Sequence, residues 1–230
     1  MRIPLTGPSS GSNKRVTREL FKNRAYDELR SRLFSNQYGP GSFLSERQLA
    51  AELGMSKTPI KAALERLEME GFIIVSPQSG IVVCELSQKE IADLYEIRIA
   101  LEGYVLQAIT GRLTISQFQE WDANLKAQAQ NPPSPENRLQ SVALDAQFHM
   151  LPSQFLGNQQ IIKTMQQMYD KMQVVINRVF ALTPERAAQS IHEHLEIVDA
   201  VKSGNGRRAS ELVETHLLLG HKILCEATLQ

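Results

Sequence analysis

Phe43-Leu44-Ser45-Glu46-Arg47-Gln48-Leu49-Ala50-Ala51-Glu52-Leu53-Gly54-Met55-Ser56-Lys57-Thr58-Pro59-Ile60-Lys61 is the stretch that decides the fold. Ser45 and Gln48 have the spacing of a capping box and open a short helix. Gly54 suits the left-handed position past that helix's end. Ser56 then caps a second helix, with Pro59 in its first turn, where a missing amide hydrogen costs nothing. Ile60, Ala63, Leu64 and Leu67 recur at helical spacing and must face inward, which leaves Lys57, Thr58 and Lys61 on an exposed N-terminal face. Gly71 ends the helix. Ile73–Val75 and Ile81–Val83 flank the turn Ser76-Pro77-Gln78-Ser79-Gly80 and read as a β-hairpin. Two helices, a tight turn and a hairpin in this order make a winged helix-turn-helix.

Helix pairs with glycine turns also occur as plain structure, so the surface chemistry has to speak for DNA. Cations and a hydroxyl at the start of the second helix are the groups that reach phosphates and base edges. Residues 1–61 hold eleven Lys/Arg against five Asp/Glu, although the whole chain is neutral, with 25 of each. The segment resembles the DNA-binding domain of the GntR family of bacterial transcription regulators. The matching residues are Gly41, Leu44 to Arg47, Leu49-Ala50, Leu53-Gly54, Ser56 to Lys61, Ala63-Leu64, Leu67-Glu68, Gly71 and Gly80. The resemblance implies DNA contacts from Arg47, Ser56, Lys57, Thr58 and Lys61, with Gly80 in the wing. The family more often carries arginine at positions 57 and 61; lysine is a point charge without arginine's planar fork.

With 42% hydrophobic residues the chain has the composition of a globular protein. Met1-Arg2-Ile3-Pro4 opens no signal-peptide core, and no run approaches the roughly 20 apolar residues that span a bilayer. Cys84 and Cys225 are too far apart to suggest a zinc site or a disulfide staple, so a reducing cytoplasm is expected. Residues 1–13, rich in Gly, Ser and Pro, are expected to form a disordered arm, with Lys14, Arg15 and Arg18 extending the basic surface behind it. The winged helix-turn-helix is assigned to residues 14–84, and a second domain to 85–230.

That second domain reads as all helix. Ser87 with Glu90 and Thr114 with Gln117 are capping boxes for helices to about Thr110 and Gln128. Ser134-Pro135 launches a helix to about Leu156, an amphipathic run reaches Phe180, Thr183-Pro184 starts another, and the last covers about 206–228. Six helices without a strand pattern indicate an antiparallel bundle.

Asp145 and His149 are one turn apart on one helix; His194 and His216 lie on two others. Three imidazoles and a carboxylate converging in a bundle core suit a divalent transition metal, but by spacing alone a helix ion pair and satisfied core histidines are the commoner reading. His192 and His221 point away from their neighbours' faces. Met168, Met172 and Phe180 read as packing.

Residues 88–228 are similar to the ligand-binding domain called FCD, found in the FadR-like branch of GntR regulators. The matching pieces are Leu94 to Arg98 with Leu101-Glu102, Asp145 with Phe148-His149, Asn158, Glu193-His194 with Ile197 and Ala200, and Ala209 through His216. Six helices resemble the VanR-like subgroup. The resemblance makes Asp145, His149, His194 and His216 metal ligands, for zinc first, with nickel or manganese as alternatives. It also implies a small carboxylate effector gripped by Arg98, a guanidinium that otherwise has Glu102 as an i, i+4 partner. Tyr95 and Asn158 are further candidates for the pocket wall.

The expectation is a homodimeric, cytoplasmic regulator, a repressor, whose affinity for operator DNA responds to a metabolite. The alternatives are a helical metalloenzyme, a hydrolase or oxidase using the three-histidine, one-aspartate centre, and a constitutive DNA-binding dimer.

Overall fold

In a computed structural model, residues 11–76, 80–134, 136–183 and 185–227 are described. The chain divides into two units, Met1–Glu85 and Leu86–Gln230. In the first, α1 (Gly11–Phe34) precedes β1 (Phe43–Leu44), α2 (Glu46–Leu53), α3 (Lys57–Met69), β2 (Ile73–Ser76) and β3 (Gly80–Val83). Ser45 Oγ accepts from the Gln48 amide, but the Gln48 side chain turns to Glu52, so the cap is one-sided. Ser56 occupies the N-cap of α3 without a side-chain cap bond, correcting the expected cap and leaving its hydroxyl exposed. Gly54 adopts φ 61°, the left-handed conformation that lets the chain reverse between α2 and α3.

The hairpin gains a strand that sequence reading left out. β1 pairs with β3, giving an antiparallel sheet of order β1-β3-β2. Residues 77–79, which include Gln78 and Ser79, lie outside the described residues, as do residues 1–10. α1 begins at Gly11, inside the stretch expected to lack structure, and Lys14, Arg15 and Arg18 fall on it. Its Ala25, Tyr26, Leu29 and Leu33 are buried at helical spacing. Tyr26 donates to Glu70 at 2.7 Å, the Arg66 guanidinium lies 3.5 Å over the Tyr26 ring, and Phe34 meets Phe72 edge-on at 5.4 Å. These contacts fix α1 against α3 and the sheet.

Among the described residues the second unit has six helices: α4 (Gln88–Ile109), α5 (Ile115–Gln130), α6 (Arg138–Leu156), α7 (Gln159–Leu182), α8 (Glu185–Lys202) and α9 (Gly206–Ala227). Both expected capping boxes, Ser87/Glu90 and Thr114/Gln117, are formed. α6 starts later than expected. Ser134 and Asn137 bond each other's backbone amides through Oγ and Oδ1, closing a turn before the helix begins. Pro135 and Pro184 lie outside the described residues.

α4 and α9 approach closely because Gly103 faces Ser210 and Gly206 faces Thr110; a Cβ at Gly103 would lie 2.7 Å from Ser210 Oγ. Pro152 lies inside α6 and cannot donate to the Phe148 carbonyl one turn back; Trp121 Nε1 of α5 donates there instead, at 3.2 Å. The core runs through Trp121, Phe148, Leu151, Met165, Met168, Met172 and Val213, and the expected packing roles of Met168 and Met172 hold.

Candidate metal centre and nucleic-acid interface

In the first unit, Arg47, Ser56, Lys57, Thr58 and Lys61 are all exposed, while Pro59 and Ile60 turn into the core. The start of α3 therefore offers two lysines and two hydroxyls to solvent. Gly80 stands at φ 81°, where an added Cβ would lie 3.0 Å from the Leu44 carbonyl, so the first residue of β3 packs tightly on β1.

In the second unit, α6 delivers Asp145 and His149, α8 delivers His194, and α9 delivers His216. All four are buried. The three histidines each bring one ring nitrogen to within 4.8 Å of the others. His194 Nε2 and His216 Nε2 are 3.4 Å apart. Two nitrogens bound tetrahedrally at about 2.0–2.1 Å from zinc stand about 3.3 Å apart, a spacing this pair matches and the 4.8 Å spread of the trio exceeds. Asp145 closes the set, with Oδ1 3.8 Å from His194 Nε2 and Oδ2 4.0 Å from His149 Nε2.

The other ring nitrogens show how the imidazoles are held. His149 Nδ1 meets Glu102 Oε2 at 2.6 Å, His216 Nδ1 meets Glu193 Oε2 at 2.6 Å, and His194 Nδ1 meets Gln128 Oε1 at 3.1 Å. An acceptor opposite each Nδ1 fixes the proton there and leaves the Nε2 lone pair facing the centre. Phe148 stacks on His194 at 3.8 Å and sets its ring plane. His149 Nε2 is a buried nitrogen without a hydrogen-bond partner. An orphaned lone pair aimed at two other imidazoles and a carboxylate fits a divalent metal ion. His192 is exposed, and His221 packs against Tyr95 at 5.0 Å, so neither joins the centre.

The electrostatics favour neutral imidazoles at His194 and His216. Burial, followed by the His216 and His149 charges, drives His194 well below the usual histidine range. Burial also lowers His216 to about 4, with the Glu193 hydrogen bond opposing. Burial alone would raise the Glu102 carboxyl, but the charges of Arg98 and then His149 outweigh it and hold it at about 2.

Arg98 forms the Glu102 pair expected from position, Nε to Oε1 at 2.8 Å, and donates to Tyr169 at 2.6 Å. It also borders a cleft shared with Tyr95, Asp145, Arg186, Ser190 and His216. Tyr95 thus lies in the wall. Asn158 does not: it is exposed, and its Oδ1 caps α7 by accepting from the Gln160 and Ile161 amides. Its polar side chain is consumed by helix initiation, which corrects the expectation placed on it. Sequence reasoning missed Gln128, Tyr169, Arg186, Ser190 and Glu193. Glu193 stood next to His194 in the motif, yet one residue apart on a helix means different faces, and its partner is on α9.

The sequence profile of the FCD domain matches residues 93–219, and that of bacterial regulatory proteins of the gntR family matches residues 21–83. The chain belongs to the GntR family, in the group that carries an FCD domain. Among its GntR relatives, the uncharacterized HTH-type transcriptional regulator YdhC of Bacillus subtilis is 24% identical over 83% of this chain and 85% of its own length. The HTH-type transcriptional repressor RspR of Escherichia coli is 25% identical over 77% of each chain. The solved structure of E. coli McbR/YncC covers 90% of this chain and 98% of its own at 20% identity, with a TM-score of 0.74, a likeness of fold. This GntR chain is a transcriptional regulator rather than an enzyme, which sets aside the metalloenzyme alternative. No helix among the described residues is long and apolar enough to cross a membrane.

Proposed function

We propose that this regulator is a cytoplasmic, homodimeric repressor whose hold on operator DNA is controlled by a small carboxylate bound beside a divalent metal in the helical unit. Arg47, Ser56, Lys57, Thr58, Lys61 and Gly80 meet the operator. Twofold symmetry motivates the dimer, since one winged helix reads few base pairs and a pair reads a palindrome. The repressor named among the relatives supports the sign of regulation.

The observation that carries the effector reading is the trio of imidazoles with every Nδ1 held by an acceptor and every Nε2 turned inward. Asp145, His149, His194 and His216 hold the ion; zinc comes first, with nickel and manganese fitting the same donors. The ion, when bound, supplies an electrophilic anchor for a carboxylate oxygen. Arg98 borders the same cleft and orients the acid, Tyr95 walls it, and the remaining buried groups exclude water. Effector binding shifts the operator equilibrium only by its differential affinity for two arrangements of the protein, usually about 1–3 kcal/mol.

A band-shift titration of the protein's own promoter, with and without chelator and with a panel of organic acids, tests the reading. Promoter binding that neither metal removal nor any acid alters would reduce the bundle to a passive dimerisation domain.

A further inference from the structure

The charged side chains gathered around the three imidazoles can be counted. Arg98, Glu102, Asp145 and Arg186 are buried, and Glu193 is half-buried. Each cation is committed to a carboxylate. Arg98 pairs with Glu102 at 2.8 Å, and Arg186 grips Glu193 with two nitrogens at 3.1 and 2.7 Å. Among the described residues Asp145 has no Lys or Arg side chain paired with it; its neighbours are Ser190, His149 and His194. Two positive groups therefore face three negative ones, with three imidazoles between them that are neutral when they ligate a metal. A divalent ion adds two positive charges and leaves the loaded centre with one in excess.

Uncompensated charge in a buried site is costly, and the excess sets the charge of whatever completes it. We infer that the effector is a monoanion: a single carboxylate on an uncharged, largely apolar body, with dicarboxylates and tricarboxylates disfavoured. This rests on the reading above, that the cleft takes an acid beside a divalent ion. The remaining wall is consistent with it. Ile176, Val179, Phe180 and Leu217 also line the cleft, and these apolar side chains offer no partner to a second carboxylate. Arg186, the nearest second guanidinium, is already held by Glu193 and also donates to the His216 carbonyl at 3.3 Å. A dianion would reverse the sign of the excess and would have to break that pair.

The test uses full-length protein loaded with zinc, its metal content confirmed by elemental analysis, and calorimetric titration with acids matched in skeleton: benzoate against phthalate, hexanoate against adipate, 3-methylbutanoate against methylsuccinate. The expected result is at least one monocarboxylate binding tenfold or more tightly than its dicarboxylate. Glu193→Gln removes one negative charge while keeping an acceptor for His216 Nδ1. With zinc retained, it should move the monoanion-to-dianion preference at least tenfold toward the dianion. A wild-type preference for the dicarboxylate members, or for citrate, overturns the inference and leaves the acid-effector reading standing. Fully metallated protein that binds none of the acids overturns both. Should Glu193→Gln fail to fold, the wild-type series decides by itself.

Discussion

Glu102 touches three partners with two oxygens: Oε1 takes Arg98 Nε at 2.8 Å and the Tyr169 hydroxyl at 2.7 Å, while Oε2 takes His149 Nδ1 at 2.6 Å. One side chain thus neutralises a buried guanidinium and orients an imidazole. Glu102→Ala should therefore destabilise the fold by about 3–5 kcal/mol, because it strands the Arg98 charge. It should also weaken metal binding by about 10- to 100-fold, because it releases the His149 tautomer. Chemical denaturation and a competitive chelator titration read the two effects separately; unchanged metal affinity would detach Glu102 from the centre. The depressed imidazoles make a pH prediction for metal-free protein. His194 and His216 bind protons less readily folded than unfolded, so the unfolded chain takes up more protons as the pH falls. Their stabilising contribution is present above about pH 6.5, the unfolded value, and is lost progressively as the pH drops toward the folded value of about 4 for His216. Urea midpoints of chelated protein measured at pH 7, 5.5 and 4.5 should fall in that order.

At the scale of elements, the α4–α9 contact brings Arg98 and Glu102 beside His216, and it depends on Gly103. Gly103→Val should cost about 1–3 kcal/mol through overpacking. Because α4 and α9 would be forced apart, it should also lower metal affinity, which thermal melts with and without zinc would show as a reduced metal-induced shift. Helix boundaries were legible where caps are local: the Ser87/Glu90 and Thr114/Gln117 boxes need only four consecutive residues. α1 was not assigned, although Tyr26, Leu29 and Leu33 have helical spacing, because Gly, Ser and Pro before it read as a tail. β1 has only two residues, and its partner Ile81–Val82 lies almost forty positions later, so no local pattern announces it.

For the whole molecule, the exposed cations at the start of α3 and the buried centre are parts of separate units joined in one chain. Lys61→Ala should weaken operator binding about tenfold and flatten its salt dependence, leaving the metal content untouched. A band shift across two salt concentrations, run beside elemental analysis, checks both halves; intact affinity with an intact salt slope would take Lys61 off the DNA.

The sequence by itself determined the winged helix-turn-helix and the run of helices behind it, because capping and helical periodicity are properties of neighbouring residues; it set Asp145 and His149 one turn apart, and only the resemblance to FCD domains joined His194 and His216 to them. The tertiary structure decided what surrounds that set: which carboxylate or amide faces each Nδ1, that Asn158 caps a helix instead of lining the cleft, and that Arg186 is tied to Glu193 next to His216. Those facts join residues on different helices, and their relation is fixed only when the bundle packs and buried polar groups must find partners.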